Sequence, residues 1–170
     1  MKKIFFCLIA VTVLLSITSG VSHAQVFKLS LWGDICVPKE SKTTGLELAI
    51  GTQTREVEGV QLAFLYAQAD EIEGLQCALA SNTYDGKGVQ WSFVNLADKF
   101  QGGQLSAVNW SKDVEGLQFG WVNNTDSMNG LQLGFVNIAG QMKGLQIGLV
   151  NIIKNNPEFL PVFPFFNFCF

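Results

Sequence analysis

Three stretches near the end of the chain, GLQFGWVN from Gly116, GLQLGFVN from Gly130 and GLQIGLVN from Gly144, decide how the rest is read. Traced backwards, their leading glycine recurs at Gly102, Gly88, Gly74, Gly59 and Gly45, always 14 residues apart except for the 15 between Gly59 and Gly74. The eight units cover residues 45–157 of the 170. Self-similarity at a fixed period marks a repeat architecture, and it has to be found before single segments are assigned.

Numbered from its glycine, each unit has columns of distinct chemistry. Column 2 is Leu or Val except for Gly103, column 4 runs Leu48, Leu62, Cys77, Trp91, Leu105, Phe119, Leu133, Ile147, and column 6 runs Ile50, Phe64, Leu79, Phe93, Ala107, Trp121, Phe135, Leu149. Between them, column 3 is Glu47 followed by seven glutamines, and column 5 is only Ala, Ser or Gly. A period of two predicts a strand rather than a helix, with columns 2, 4 and 6 as its apolar, inward face. On that reading Phe135, Trp91 and Trp121 belong to the core and Cys77 is a small buried hydrophobe. Trp110, in column 9, stands outside these columns and is the candidate surface contact. Column 8 is Asn in the last five units, and columns 10 to 14 collect most of the charges with Gly, Ser and Thr, the chemistry of turns. Column 13 is apolar again, as in Val57, Ile72, Phe100 and Met128.

Two all-β architectures satisfy the pattern. In a β-solenoid each unit is one coil, neighbours pair in parallel about 4.8 Å apart, and Gln stacks over Gln and Asn over Asn in amide ladders. In an antiparallel meander or small up-and-down barrel each unit is one strand plus a tight turn, and Gln132, for example, faces solvent. Constant repeat length favours the solenoid, since nearest-neighbour stacking demands it. A solenoid also tolerates the extra residue of the unit from Gly59 to Glu73, provided that it bulges out of the turn.

The ends differ from the array. Residues 25–44 contain an alternating opening strand, Phe27-Lys28-Leu29-Ser30-Leu31, and residues 158–170 form an aromatic tail with Pro161 and Pro164. Both are expected to cap the sheet edges, where proline cannot donate a ladder bond. A membrane barrel is disfavoured, because an apolar stripe three residues tall falls short of the about 9 to 11 residues of a spanning strand.

At the start, Lys2 and Lys3 precede an apolar run from Ile4 to Ile17 and a Ser22-His23-Ala24 ending. This reads as a signal peptide, residues 1–24, cleaved before Gln25. The remainder carries 9 Lys and Arg against 14 Asp and Glu, a net charge of −5, with no basic cluster to release counterions, so no nucleic-acid partner is expected. The lone histidine, His23, leaves with the leader. Cys36, Cys77 and Cys169 then have no histidine to activate them or to complete a Cys/His metal site, and the carboxylates fall in turn columns without a calcium-loop pattern. No catalytic, cofactor or metal residues are assigned, and the chain is not expected to be an enzyme.

The chain resembles the secreted and surface bacterial proteins built from GLQxGxVN tandem repeats. In these a short LSLWG-like strand precedes the array and a PFFNFxF-like tail closes it; here those parts are Leu29 to Gly33 and Pro164 to Phe170. The resemblance implies an exported protein of the bacterial surface or exterior and brings no settled activity. Some members look like lipoproteins, whereas this chain has no cysteine at the cleavage site. The expected roles are structural support or surface contact with an envelope or protein partner, with a small outer-membrane barrel or a self-associating fibre subunit as alternatives. The expected location is the periplasm, the cell surface, the outer membrane or the exterior.

Overall fold

The computed structural model describes residues 27–32, 35–37 and 41–170; the leader assigned to residues 1–24 lies outside them. The elements are strands throughout: β1 (Phe27–Trp32), β2 (Ile35–Val37), β3 (Lys42–Leu105), β4 (Val108–Ile153) and β5 (Val162–Cys169), with no helix among the described residues. They make one all-β, open sheet in the order β2-β1-β3-β4-β5. At 64 and 46 residues, β3 and β4 far exceed an ordinary strand because ladder pairing continues through several units. Where β3 meets β4, residues lie in parallel beside those 14 positions later, Asn95 beside Asn109 and Gln104 beside Gln118. At that junction the chain lies parallel to itself at one unit's distance. Antiparallel pairing between units, which a meander requires, is not what these strands do, and the sheet does not close into a barrel.

Glycine opens each unit for two reasons. From Gly45 to Gly144 its φ lies between 118° and 142°, a region that side chains with a Cβ resist. A Cβ there would also stand 1.9 to 2.3 Å from the carbonyl oxygen of the preceding unit's glycine. Only a bare backbone permits the close stacking.

The interior reverses the expected face. Glu47 and the seven column 3 glutamines are fully buried, together with column 10, which alternates mostly between Ala and Ser or Thr, and the column 8 asparagines. Columns 4 and 6 point outward: Trp121 is 61% exposed, Phe135 57% and Trp91 65%. Burial follows columns 3 and 5, then 8 and 10, then 13, so the alternation slips by one residue twice in each unit. A one-residue slip carries every following side chain to the other face. Apolar packing centres on column 13, where Val114, Met128 and Met142 follow one another and Phe100 fills the space above Gly86, joined by Ala97, Ala139 and Ile153 of column 10 and by Cys169.

Polar residues can occupy this interior because they complete one another's hydrogen bonds. Each glutamine Nε2 donates to the column 3 oxygen of the preceding unit, at 2.7 to 3.0 Å, from Gln61 to Gln146. The hydroxyls of Thr83, Ser111 and Thr125 in column 10 donate to the glutamine oxygen of their own unit. The asparagines run the opposite way, each Nδ2 donating to Oδ1 of the next unit from Asn95 to Asn151. Buried amides satisfied in this manner avoid the cost of about 1 to 3 kcal/mol that each orphaned group would carry. The inserted residue keeps clear of them. Gln61 reaches the carbonyl of Gln68, seven residues on, where Gln90 and Gln146 reach one six residues on. The extra residue thus falls between Gln61 and Gln68, ahead of the charged turn columns rather than in them.

The outward position of column 6 sets a first prediction. Phe135→Ala is expected to cost no more than about 1 kcal/mol in denaturant unfolding at submicromolar protein, because most of the ring is already solvated. A loss of 3 kcal/mol or more would return column 6 to the core.

Both ends are finished by chain from outside the array. β1 pairs in parallel with the first unit, Lys28 beside Glu47 and Leu29 beside Leu48, and β2 folds back on it antiparallel. β5 lies antiparallel on the last unit, with Cys169 beside Gly144 and Phe163 beside Asn151. Its ladder slips between Gly148 and Asn151, near Pro164 and a Phe165 of positive φ. Phe159, Phe163, Phe166, Phe168 and Phe170 pack ring against ring at centroid distances of 4.9 to 5.8 Å, Phe168 stacked on Phe159 and Phe170, and Phe163 edge-on to Phe159 and Phe166. Each end strand covers ladder groups that would otherwise invite another chain.

Candidate functional site

The feature that the fold leaves open is the face made by columns 4, 5 and 6. Columns 4 and 6 form two parallel apolar ridges, and the backbone of column 5, whose small side chains turn inward, forms the floor between them. No charged residue occurs in these three columns in any unit. Eight units at about 4.8 Å per step make a stripe about 34 Å long. Toward its first half the ridges flank an open groove lined by Leu62, Phe64, Cys77, Leu79, Trp91 and Phe93 over Ala63, Ala78 and Ser92. Phe64 is the most prominent wall at 76% exposure.

Such exposure is unusual. The largest apolar patch on an ordinary monomer spans a few hundred Å² and often serves contact. Here the arrangement follows from the interior: once column 3 turns inward to make the amide ladder, strand alternation sends columns 2, 4 and 6 to the other side. Column 2 is half-covered, while columns 4 and 6 carry the bulk of the exposed rings.

The other sequence candidates fall elsewhere. Trp110 is 60% exposed, but it lies beside Leu96 in column 9, past the first slip of alternation, and not on the stripe. Cys77 is half-buried on the stripe rather than enclosed, and burial pushes its thiol above the usual cysteine range, away from a reactive thiolate. Cys36 in β2 and Cys169 in β5 stand at opposite edges of the sheet, both as free thiols. Burial, and then the Glu158 carboxylate, raise the Cys169 thiol.

Turn charges are paired between successive units: Lys42 with Glu56 and Glu58, Lys87 with Glu73, and Lys112 with Asp98. The Glu56 and Glu58 hydrogen bonds hold the Lys42 ammonium above the usual lysine range, and Asp98 does the same for Lys112. All are exposed, so each pair contributes little to stability. Among the described residues no group of three or more His, Cys, Asp or Glu is placed to hold a metal ion.

One charged constellation was not read from the sequence. Lys28 and Glu47 are buried, Nζ to Oε1 at 3.4 Å, with Lys28 donating to Thr54 Oγ1 at 2.9 Å. Glu47 also accepts from Ser30, Thr52, Thr54 and Gln61. The pair ends the glutamine ladder. Since every glutamine donates toward the N-terminal side, the first position needs only acceptors, which a carboxylate supplies. At the other end, the Oε1 of Gln146 has no partner among the described residues, as the ladder's polarity requires. A signal for this did exist: Glu47 is the one carboxylate in a column of glutamines, and Lys28 is the one charge in an alternating strand.

Comparison of the chain with family models, curated proteins and solved structures finds no match in any of the three.

Proposed function

We propose that this chain is a non-catalytic exported repeat protein with a structural or surface-contact role in the bacterial envelope, its units wound as successive coils of a β-solenoid. The observation that carries the reading is the inversion of the usual arrangement: amides inside, aromatic ridges outside. Parallel pairing at one unit's distance and the two amide ladders support the coil. The uncharged ridges support contact with a partner as the purpose of the surface. Export is supported by the leader-like residues 1–24, and an envelope setting by the resemblance to GLQxGxVN repeat proteins. The ladder interior offers rigidity rather than a reaction centre, since its polar atoms are engaged with each other.

The test is a photo-crosslinking amino acid placed in cells at Phe135, on the ridge, and separately at Glu115, on the charged rim. Crosslinked products from the Phe135 position in the envelope fraction, with few from Glu115, are the expected result. Recovery of the protein in the cytoplasmic fraction, or equal products from both positions, would overturn the reading.

A further inference from the structure

We infer that the apolar stripe is the interface of a face-to-face homodimer, a second copy of this chain being its occupant. The inference rests on the reading of that stripe as a contact surface and adds the partner's identity. Three observations carry it.

The first is area. Ten large apolar side chains of columns 4 and 6 stand 45% or more exposed. At roughly 100 Å² each they present on the order of 1,000 Å², above the about 800 Å² per partner of a standard stable interface.

The second is pitch. The ridges repeat at the strand spacing of about 4.8 Å, and another β stack with the same period keeps that register over the whole length. A second copy has it by construction, and neither face carries a charge that would have to be desolvated.

The third is a pattern of sizes. A two-fold axis lying in the interface along the strand direction reverses the stripe, so the first unit faces the eighth and the fourth faces the fifth, with each column opposite itself. Phe93 then meets Ala107 of the other copy, Leu79 meets Trp121, and in column 4 Cys77 meets Phe119 and Trp91 meets Leu105. Large residues face smaller ones about the centre. Ala107 is the only small side chain of column 6, a notch between Phe93 and Trp121, and the axis brings the partner's ring to it.

This geometry separates a second copy from any other apolar occupant. Ala107→Trp adds apolar surface at an outward position, which would strengthen adhesion to a bilayer or to an unstructured apolar partner. In the two-fold dimer the new ring collides with Phe93. Sedimentation of the purified protein at micromolar concentration is expected to show a dimer for the wild type and a monomer for Ala107→Trp, weakened about 30-fold or more. Phe93→Ala added to Ala107→Trp moves the notch to the facing unit and is expected to restore the dimer. Circular dichroism checks that each variant keeps its sheet, and Trp121→Lys replaces Ala107→Trp should the latter fail to fold.

A monomeric wild type would overturn the inference, as would an Ala107→Trp or Trp121→Lys protein that dimerises like the wild type. So would flotation of the monomer on phosphatidylethanolamine–phosphatidylglycerol vesicles that Ala107→Trp strengthens. A monomer that still crosslinks to an envelope component through Phe135 would defeat the dimer alone; cytoplasmic recovery would defeat the envelope role alone.

Discussion

Lys28→Met is expected to destabilise the N-terminal units by about 3 to 5 kcal/mol, the effect of leaving one partner of a buried ion pair without the other. Glu47 is fully enclosed and anchors the glutamine ladder through Gln61, so its charge cannot move to solvent without opening the first unit. The hydroxyls of Ser30, Thr52 and Thr54 remain as donors, but they are neutral, and they answer the carboxylate's lone pairs rather than its charge. Because units of a repeat protein can open locally, the loss is best followed by hydrogen exchange at the amides of residues 46–62 beside amides of residues 117–133. Faster exchange confined to the first set is the expected outcome. Adding Glu47→Gln to Lys28→Met removes the stranded charge and extends the amide column by one member. The double variant is expected to regain more than half of the loss. A Lys28→Met protein with wild-type exchange at the first units would show that the pair does not anchor the ladder.

That pair marks where the sequence was legible and where it was not. The period came from the glycines, and the structure explains why: each has a positive φ, and from Gly59 onward each needs a bare Cα against the carbonyl of the preceding unit's glycine. Strands rather than helices came from the alternation of columns 2 to 6. The choice of face did not come through, because hydrophobicity alone puts Phe135 in and Gln132 out. That rule assumes a buried amide has no partner. Units paired in register supply one every 14 residues, as Gln118 does between Gln104 and Gln132. The favoured stacked arrangement already contained the ladder, so Gln132 inside follows from it, but columns 4 and 6 cannot then be inside on the same strand. Residues Trp91, Trp121 and Phe135 were misplaced by that one step. Trp110, in column 9 outside that alternation, is 60% exposed.

Gln118→Leu is the substitution in which the two accounts of the face differ most. Gln118 Nε2 donates to Gln104 at 2.9 Å, and its Oε1 accepts from Gln132 and from Thr125, both at 2.7 Å. Leucine nearly matches the volume but removes the acceptor of two buried donors, each costing about 1 to 3 kcal/mol when unmet. The expected loss is therefore about 2 to 6 kcal/mol, against a gain for a conventional apolar core. The same change at Gln132 should cost less, since its unit has Ala139 where Thr125 would stand and so strands one donor fewer. One position along, Phe119→Gln exchanges an apolar for a polar side chain on the outward face and is expected to change unfolding by about 1 kcal/mol or less in the monomer. Denaturant unfolding of the three variants at submicromolar concentration gives the order directly. Gln118→Leu must be the least stable and Phe119→Gln the most; the reverse order would place the aromatic ridges inside and dissolve the ladder.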